Sequence, residues 1–394
     1  MKKRWQWKLL GEVCKTSSGG TPLSSRKEYY EGGDIPWILS GEVAVGNVRQ
    51  AKSFITRQGL ENSAAKLFPK NTVLVAMYGA TAGQVGILRF EAATNQAVCG
   101  ILPNDKLIPE FLFYFLLAKK DELVAQATGN AQPNISQSKI KNTEIPVPSL
   151  PEQQRIVGIL DKAFAGLAVA VANAEKNLQN ARALFESHLQ SVFSRQPNEV
   201  SLSELATDIT DGDHSPPPKA PNGIPFITIS DIIKRTREVD FSNTFMVPTE
   251  YFNKLKSNKK PIIGDILYTV TGATLGIPVL VKEQRDFCFQ RHIGLIRPNR
   301  ATDSAWLTYA LLSPQAFQQA TIGATGAAQK TVSLSVLREL KVPNLAISDQ
   351  KRIANRLDNL AAETQRLATI YEKKLAALVE LKQSLLHQAF SGEL

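Results

Sequence analysis

The sequence contains IPVPSLPEQQRI at residues 145–156 and VPNLAISDQKRI at residues 342–353. The two stretches are 197 residues apart, half of the 394-residue chain, and this offset stays constant as far as Phe193 and Phe390. A gap-free repeat of this length is hard to obtain by chance. The chain is therefore a tandem duplication, and two such units can pack about a pseudo-two-fold axis as the subunits of a homodimer do.

The duplication extends upstream with small insertions and deletions. GATAG at residues 79–83 recurs as GATLG at 272–276, and IPWI at 35–38 recurs as IPFI at 224–227. The offsets there are 193 and 189, so loop lengths differ in the first part of each unit. We therefore predict two variable domains and two copied tails. Their predicted bounds are 1–148 for the first domain, 149–197 for the central tail, 198–346 for the second domain and 347–394 for the C-terminal tail.

Both copied tails are predicted to be long helices. Ser149 and Pro151 are typical of a helix start, and Ser348 with Asp349 takes that place in the second copy. Apolar residues then alternate at spacings of three and four, which indicates a coiled-coil seam. The predicted seam residues are Phe164, Leu167, Val171, Leu178, Phe185, Leu357, Leu360, Leu367, Tyr371, Leu378, Leu381 and Leu385.

A single amphipathic helix lying on a globular core is the alternative interpretation of each tail. A helix of ~40 residues would span ~60 Å, which exceeds the width of one of the variable domains, so a partner helix must cover the seam. The nearest partner is the other copy. Residues 194–199 are too few to return along ~60 Å at ~3.5 Å per residue. The two helices are therefore predicted to pair in antiparallel orientation.

The variable domains are predicted to combine strands with short helices. Short β-like runs are separated by glycine-rich turns, and a helix near residues 110–119 or 306–312 closes each domain. The predicted strands lie at 35–39, 72–77, 85–88, 97–102, 226–229, 266–270 and 276–281. The predicted fold class is α+β, a tandem pseudo-two-fold duplication of two strand-rich domains separated by an antiparallel pair of long helices.

The chain carries a formal net charge of +10, and the excess lies mainly in the variable domains. Residues 1–150 carry 18 basic and 12 acidic side chains, and residues 198–346 carry 16 basic and 14 acidic ones. A polyanionic partner such as nucleic acid is the natural interpretation. An ordinary soluble basic protein is the alternative, and charge alone does not decide between them.

Composition also limits the class and the compartment. An apolar content of 43% with 21% charged residues is typical of a soluble protein with real cores. No unbroken apolar run approaches the ~18 residues of a membrane span. Cys14, Cys99 and Cys288 are scattered, which indicates neither a disulfide framework nor a zinc site. We therefore expect a cytoplasmic protein without a membrane partner.

The sequence lacks the P-loop and HExxH motifs of common enzymes, as well as the DPPY-type turn of adenine methyltransferases. His214, within DGDHSPP at residues 211–217, superficially suggests metal binding or acid–base chemistry. The first copy has Gly20 at the corresponding position, and a turn rich in hydroxyls and proline is the favoured interpretation. We expect no catalytic residue and no metal site.

Several features together resemble the specificity subunit of type I restriction–modification systems. These features are two basic domains alternating with two helices, PEQQRI at residues 151–156, the Gly-Ala-Thr turns and the ending AFSGEL at 389–394. The resemblance covers the whole chain, and PEQQRI is its most specific element. The second copy departs from it with DQKR at 349–352, which leaves the helix start intact.

The resemblance implies that each variable domain is a target recognition domain for one half of a bipartite, asymmetric DNA site. The helix pair would set the unread spacer and dock two modification (methyltransferase) subunits, and restriction (motor-nuclease) subunits would join them. The chain itself would be a non-catalytic subunit that binds no cofactor. S-adenosylmethionine, ATP and Mg²⁺ would serve the partner subunits.

Side chains that suit base edges indicate the residues that would read double-stranded DNA. Arg and Lys suit guanine, and Asn and Gln suit adenine. A phosphate contact or a solvated loop is the alternative for each candidate, because over half of protein–DNA hydrogen bonds go to the backbone. The candidates in the first domain are Thr21, Ser24, Ser25, Arg26, Lys27, Tyr78, Thr81 and Gln96. The candidates in the second domain are His214, Ser215, Lys234, Arg235, Arg237, Thr271, Thr274, Gln290, Arg291 and His292.

Two other functions stay open. One is a coiled-coil scaffold that joins two protein-binding domains, which predicts weak DNA affinity with little salt dependence, whereas a DNA reader shows a steep one. The other is a nuclease or methyltransferase with an unrecognised site, which predicts catalysis by the chain alone.

Overall fold

The computed structural model describes residues 5–127, 134–194, 198–214, 216–326 and 330–394. The chain divides into two compact units, Met1–Glu175 with Lys373–Leu394, and Lys176–Glu372. Each unit combines one variable domain with half of each long helix. The four-segment division predicted above therefore stays a prediction.

Both units combine helices and short strands, which confirms the α+β class. The helices of the described residues are α1 (Leu10–Val13), α2 (Arg57–Glu61), α3 (Pro109–Ala118), α4 (Lys120–Ala125), α5 (Gln137–Lys141), α6 (Leu150–Phe193), α7 (Leu202–Leu205), α8 (Thr249–Lys254), α9 (Ser304–Leu312), α10 (Pro314–Gly323), α11 (Leu334–Glu339) and α12 (Ile347–Ser391). The strands are β1 (Trp7–Leu9), β2 (Thr16–Ser18), β3 (Ile35–Ile38), β4 (Asn47–Val48), β5 (Ser53–Ile55), β6 (Leu67–Phe68), β7 (Val73–Ala76), β8 (Val85–Leu88), β9 (Ala92–Thr94), β10 (Val98–Ile101), β11 (Glu144–Pro146), β12 (Glu199–Ser201), β13 (Ala206–Asp211), β14 (Ile224–Ile227), β15 (Ile232–Ile233), β16 (Glu238–Val239), β17 (Phe245–Val247), β18 (Ile266–Thr269), β19 (Pro278–Leu280), β20 (Cys288–Phe289), β21 (Ile293–Pro298) and β22 (Lys341–Pro343).

The first unit is built on two main sheets, beside the short antiparallel pair of β1 with β11. The larger sheet has the strand order β2-β10-β7-β8-β4, and the smaller one has the order β5-β3-β9-β6. All four residues of β7 and of β10 are buried, as continuous apolar runs predict for strands covered on both faces. Phe111 and Phe115 of α3 are fully buried and belong to the same core cluster as Val75 of β7.

The second unit repeats this topology. Its larger sheet has the order β13-β21-β18-β19, which corresponds strand by strand to β2-β10-β7-β8. Its smaller sheet has the order β17-β14-β20 and, like β3 with β9, contains a parallel pair, β14 with β20. Trp306 of α9 is fully buried in the core cluster of this unit. The duplication seen in the sequence is therefore a duplication of the fold.

The long helices pair in antiparallel orientation within each unit. In the first unit the start of α6 packs beside the end of α12, where Leu160 and Phe390 belong to one buried cluster. In the second unit the end of α6 packs beside the start of α12, where Leu189 and Leu357 belong to one buried cluster. The antiparallel orientation predicted from the short link is confirmed.

The predicted seam follows this packing except at one position. Phe185 and Leu357 are buried, and the other predicted seam residues are half-buried, but Leu381 is 47% exposed. The Nζ atom of Lys382 lies 5.4 Å from the centroid of the Phe164 ring instead. A straight helix has 3.6 residues per turn, so a strict heptad pattern drifts around its surface. The prediction that Leu381 faces the partner helix is therefore wrong.

The helix α6 is more apolar than the search for unbroken runs indicated. An 18-residue window within it reaches a mean hydropathy of 1.6, with at most two charged side chains. By length and composition, it is the one helix of the described residues that could cross a membrane. Alanines raise the average without forming an unbroken run of large apolar side chains. The same test is passed by core helices, so a single such helix is weak evidence for a membrane span.

Candidate nucleic-acid interface

In the first unit, two loops that are distant in the sequence lie side by side between the two sheets. Residues 19–22 follow β2, and residues 95–97 connect β9 with β10. The amide of Gly20 donates to the carbonyl of Thr94 at 2.9 Å, and the hydroxyl of Thr21 donates to Oε1 of Gln96. Both Thr21 and Gln96 are exposed. We call residues 19–22 and 95–97 the first loop pair.

Close approach of the backbones explains the glycines of this loop pair. A Cβ atom on Gly19 would lie 2.2 Å from the carbonyl oxygen of Thr94, and one on Gly20 would lie 2.2 Å from the carbonyl carbon of Ala64. Neither position accepts a side chain without moving the backbone. The glycines therefore bring the two loops together, and their polar neighbours face solvent.

Tyr78 and Thr81 lie next to the first loop pair. The amide of Met77 donates to the carbonyl of Ala97 at 2.8 Å, which places the following residue, Tyr78, beside residues 95–97. Its side chain is 40% exposed. Thr81 ends the 3₁₀ turn Gly79–Thr81 and donates its hydroxyl proton to the carbonyl of Tyr78 at 3.2 Å.

The remaining candidates of the first domain continue the loop that begins at Thr21. Ser24, Ser25, Arg26 and Lys27 are all exposed. Arg26 is paired with Glu28 at 3.2 Å, and both side chains are largely in solvent, so the pair restrains Arg26 only weakly. These residues border the loop pair and are available to a polyanion.

In the second unit, the corresponding loops meet in the same way. The amide of Asp213 donates to the carbonyl of Phe289, and the amide of Arg291 donates to the carbonyl of Asp213, both at 3.2 Å. This pairing places residues 211–214 beside residues 290–292, and we call them the second loop pair. Gln290 forms a parallel bridge with Asp213. Arg291 is exposed and Gln290 is half-buried.

The two histidines of the second loop pair have polar neighbours. Nε2 of His214 lies 2.8 Å from Oδ2 of Asp211, and Nδ1 of His292 lies 3.2 Å from Oγ1 of Thr271. The structure thus brings His214, Thr271 and His292 to one place. Ser215 lies outside the described residues. Among the residues that are described, no group of three or more His, Cys, Asp or Glu side chains could hold a metal ion.

Sequence reasoning missed the residues that hold these loops from behind. In the first unit, Tyr30 donates from its hydroxyl to the carbonyl of Pro22, and Nε1 of Trp37 donates to the carbonyl of Gly20 at 3.1 Å. In the second unit, the hydroxyl of Tyr251 donates to Oδ2 of Asp213 at 2.5 Å. Trp37 lies in the repeated IPWI stretch, whereas Tyr30 and Tyr251 lie outside the repeated motifs, and no local pattern marks any of the three as a support.

Burial also changes the pKa of Tyr251, one of these supporting residues. Burial, with a contribution from the hydrogen bond to Asp213, raises the pKa of the Tyr251 phenol above its ordinary value. Tyr251 therefore stays a proton donor over the whole physiological range. Lys259 donates to the carbonyl of Gly212 at 2.9 Å, and this hydrogen bond anchors the same loop at a second point.

Three basic candidates of the second domain lie elsewhere in their unit. Lys234, Arg235 and Arg237 belong to the turn between β15 and β16, and they line a cavity of about 740 Å³ against α6. The guanidinium of Arg237 lies over the ring of Phe185, and burial lowers its pKa. The structure does not place Arg237 in the second loop pair. A cation–π contact holds its guanidinium on the helix, and its role as a base-reading residue stays a prediction.

Thr274 also has a structural role, as part of a tight turn. It ends the 3₁₀ turn Gly272–Thr274, and its carbonyl accepts a hydrogen bond from the hydroxyl of Thr269. Gly272 and Gly276 on either side have φ values of 77° and 85°, a conformation that favours glycine. The repeated Gly-Ala-Thr sequence therefore makes a tight turn in each unit.

Each loop pair offers the chemistry of base recognition. The first loop pair presents amide and hydroxyl groups and the second adds guanidinium and imidazole groups, and base edges in the major groove are read through such patterns of donors and acceptors. The loops sit on sheets whose strands are buried, so their polar groups are presented from rigid supports.

Comparison with known proteins shows the family. A family model described as "Type I restriction modification DNA specificity domain" matches residues 2–177 and 201–373. The EcoR124I/EcoR124II specificity subunit of Escherichia coli is 30% identical over 162 residues, which are 40% of this chain and 40% of that protein. The match thus spans about two fifths of the length of that relative.

Two further comparisons cover nearly the full length. The MjaVIII specificity subunit of Methanocaldococcus jannaschii is 22% identical over 99% of this chain and 93% of that protein. A chain from a solved structure on complex assembly and conformational transition of the type I R-M system has a TM-score of 0.79 at 22% identity, covering 100% of this chain and 99% of the other. At that identity the structural likeness shows the fold, which confirms the predicted fold class. The chain belongs to the family of type I restriction–modification DNA specificity domains and carries two copies of the domain in tandem.

Proposed function

We propose that this chain is the DNA-reading subunit of a type I restriction–modification complex, and that each unit reads one half of a bipartite, asymmetric site. The observation that carries this proposal is the repetition of an exposed polar loop pair at the same place in both copies of the sheet topology. The copies share a glutamine, Gln96 and Gln290, but Ala97 in one stands where Arg291 stands in the other. Two copies of the same scaffold that present different side chains are suited to recognise the two unlike halves of an asymmetric site.

We further infer that the helix pair sets the spacer between the two half-sites. The helix α6 has 44 residues, which corresponds to about 66 Å at 1.5 Å per residue. Half-sites one turn of DNA apart lie about 34–36 Å from each other. A continuous helix of this length is a suitable ruler for an unread spacer of that order.

The chemistry would belong to partner subunits. Two modification subunits would dock on the helix pair, bind S-adenosylmethionine, flip the target adenine out of the duplex and methylate it. Restriction subunits would use ATP and Mg²⁺ to act on unmodified DNA. The chain itself would contribute recognition without catalysis, in the cytoplasm where the DNA is.

Binding to DNA at several salt concentrations tests this proposal. The chain, assembled with its modification subunits, is mixed with a duplex that carries both half-sites and with duplexes in which one half is scrambled. We expect affinity to fall by orders of magnitude between about 50 and 200 mM salt, and each scrambled half to weaken binding. Affinity that is insensitive to salt and sequence would support a protein scaffold instead, and methyl transfer by the purified chain alone would support an enzyme.

A further inference from the structure

The first glutamine of the diagnostic PEQQRI string, Gln153, anchors the first long helix to its domain. Gln153 is fully buried. Its Oε1 accepts from the amide of Ile108 at 2.8 Å, and its Nε2 donates to the carbonyls of Lys106 at 2.8 Å and Pro148 at 2.9 Å. Two of these hydrogen bonds join the first turn of α6 to the segment before α3, and the third, to Pro148, closes the turn that leads into α6.

In the second copy, Gln350 makes the corresponding contacts. Gln350 is 1% exposed. Its Oε1 accepts from the amide of Asp303 at 2.7 Å, and its Nε2 donates to the carbonyls of Leu345 at 2.8 Å and Ala301 at 3.3 Å. The motif that identifies the family is thus a joint between a helix and a domain, and it makes no part of either loop pair.

In each unit a tyrosine of the domain forms a hydrogen bond to the long helix at a second position. The hydroxyl of Tyr114 in α3 donates to Oδ1 of Asp161 in α6 at 2.5 Å. The hydroxyl of Tyr309 in α9 donates to Oδ1 of Asp358 in α12 at 2.6 Å. We call the glutamine together with the tyrosine–aspartate pair the joint of its unit.

The two anchoring points of each joint are far enough apart to fix the angle between the helix and its domain. Gln153 and Asp161 are eight residues apart, which is about 12 Å along the helix. A helix anchored at one point can tilt about that point relative to its domain. Anchoring at a second point along the helix prevents this tilt. The residues that surround the tyrosines differ, since Phe164 packs on Tyr114 and Phe185 packs on Tyr309. The hydrogen bonds are the same in both units although the packing is not.

We propose that the joints are positioning elements that give the complex its selectivity for spacer length. The proposal rests on the function proposed above. Helix length alone fixes a distance only if each domain keeps one angle on its helix, because rocking of a domain would move its loop pair along the DNA. Tyr114, Tyr309, Gln153 and Gln350 would therefore control which spacer is accepted, without touching a base.

Spacer-length selectivity tests this role. Complexes carrying Tyr114→Phe, Tyr309→Phe or both are compared with the unchanged chain on duplexes whose spacer has the natural length, one base pair less or one more. We expect the preference for the natural spacer to fall by about two- to tenfold for each variant, the range that one hydrogen bond supplies. The preference for each half-site sequence should not change.

Two further variants separate this role from simple destabilisation. Gln153→Met keeps the approximate size of the side chain and loses all three hydrogen bonds without burying a charge, so it should relax spacer choice as Tyr114→Phe does. Lys162→Ala changes an exposed neighbour of Asp161 and should leave spacer choice as it is. Thermal unfolding of every variant is measured alongside.

The outcomes are distinct. A loss of affinity that is equal for all three spacers, or spacer preferences that do not change in the tyrosine variants, would overturn the proposal while half-site recognition persists. An unchanged chain that binds without preference for a bipartite sequence would overturn the proposed function itself.

Discussion

The guanidinium carbon of Arg237 lies 5.5 Å from the centroid of the Phe185 ring in α6. Arg237 has a φ of 55°, which is rare for a residue with a side chain, so this turn is held in place by its surroundings. A basic residue that sequence reasoning assigned to DNA is therefore part of the contact between the β15–β16 turn and the helix.

Replacing this side chain should affect stability more than recognition. We expect Arg237→Ala to lower the free energy of unfolding by about 1 kcal/mol, through loss of the cation–π contact and of the packed aliphatic stem. Chemical denaturation measures the change. Arg235→Ala, at an exposed neighbour, serves as the control and should be near neutral. A changed preference for bases in the second half-site of the Arg237→Ala complex would contradict this account.

Arg291 is the strongest candidate for direct reading in the second loop pair. It is exposed, and its backbone is fixed by the hydrogen bond to Asp213. We expect Arg291→Ala to cost about 1–3 kcal/mol of affinity for the cognate site and to relax specificity at one position of the second half-site. Binding selection from a library of randomised half-sites measures both effects. An effect on the first half-site, or equal weakening for all sequences, would indicate a different role.

Tyr251 should act on the same half-site from a distance. Tyr251→Phe removes the hydrogen bond to Asp213 and leaves the ring in place, so we expect a loss of about 0.5–1.5 kcal/mol in cognate affinity. The equivalent change in the first unit is Tyr30→Phe, which should weaken recognition of the first half-site instead. Titrations with duplexes scrambled in one half separate the two effects. The same response of both half-sites to either variant would contradict the assignment of one loop pair to each half.

High pH should destabilise the fold. Burial raises the pKa of Tyr114, Tyr268 and Tyr309 above the ordinary value and raises the pKa of Cys99 to about 12. A group with a raised pKa in the folded state binds its proton more tightly there than in the unfolded chain. Its contribution is complete below its ordinary pKa and is lost as pH rises.

The free energy of unfolding should therefore fall as pH rises above about 9–10, the ordinary range of these groups. Denaturation curves from pH 7 to 11 measure the slope. The slope should be shallower for the double variant Tyr114→Phe and Tyr309→Phe, because two of the groups are removed. A free energy that rises over this range would contradict the burial of these groups.

The sequence was most informative where a pattern is repeated or where the chain length limits the choices. The six residues between Phe193 and Val200 left only the antiparallel pairing of the helices, and the packing of Leu160 with Phe390 confirms it. The strands predicted at 72–77, 85–88 and 266–270 correspond to β7, β8 and β18. Continuous runs of β-branched and other apolar residues mark buried strands well.

Other features depended on tertiary contacts that no local pattern records. Thr21 and Gln96 are 75 residues apart, and only the fold places their side chains together. The heptad pattern predicts Leu381 in the seam, but the drift of a straight helix against a seven-residue repeat turns it to solvent. Gln153 was recognised as part of a diagnostic string, but its role as a joint needs the positions of Ile108 and Lys106.

The most direct test of the central claim is the methylation pattern in cells that carry this chain with its modification subunit. Single-molecule sequencing should return an asymmetric motif in two parts, with a methylated adenine in each part. A second strain carries the chain with residues 1–148 exchanged for the corresponding domain of another family member, and only one part of its motif should change. A continuous motif, or a change in both parts after the exchange, would contradict the claim that each unit reads its own half of the site.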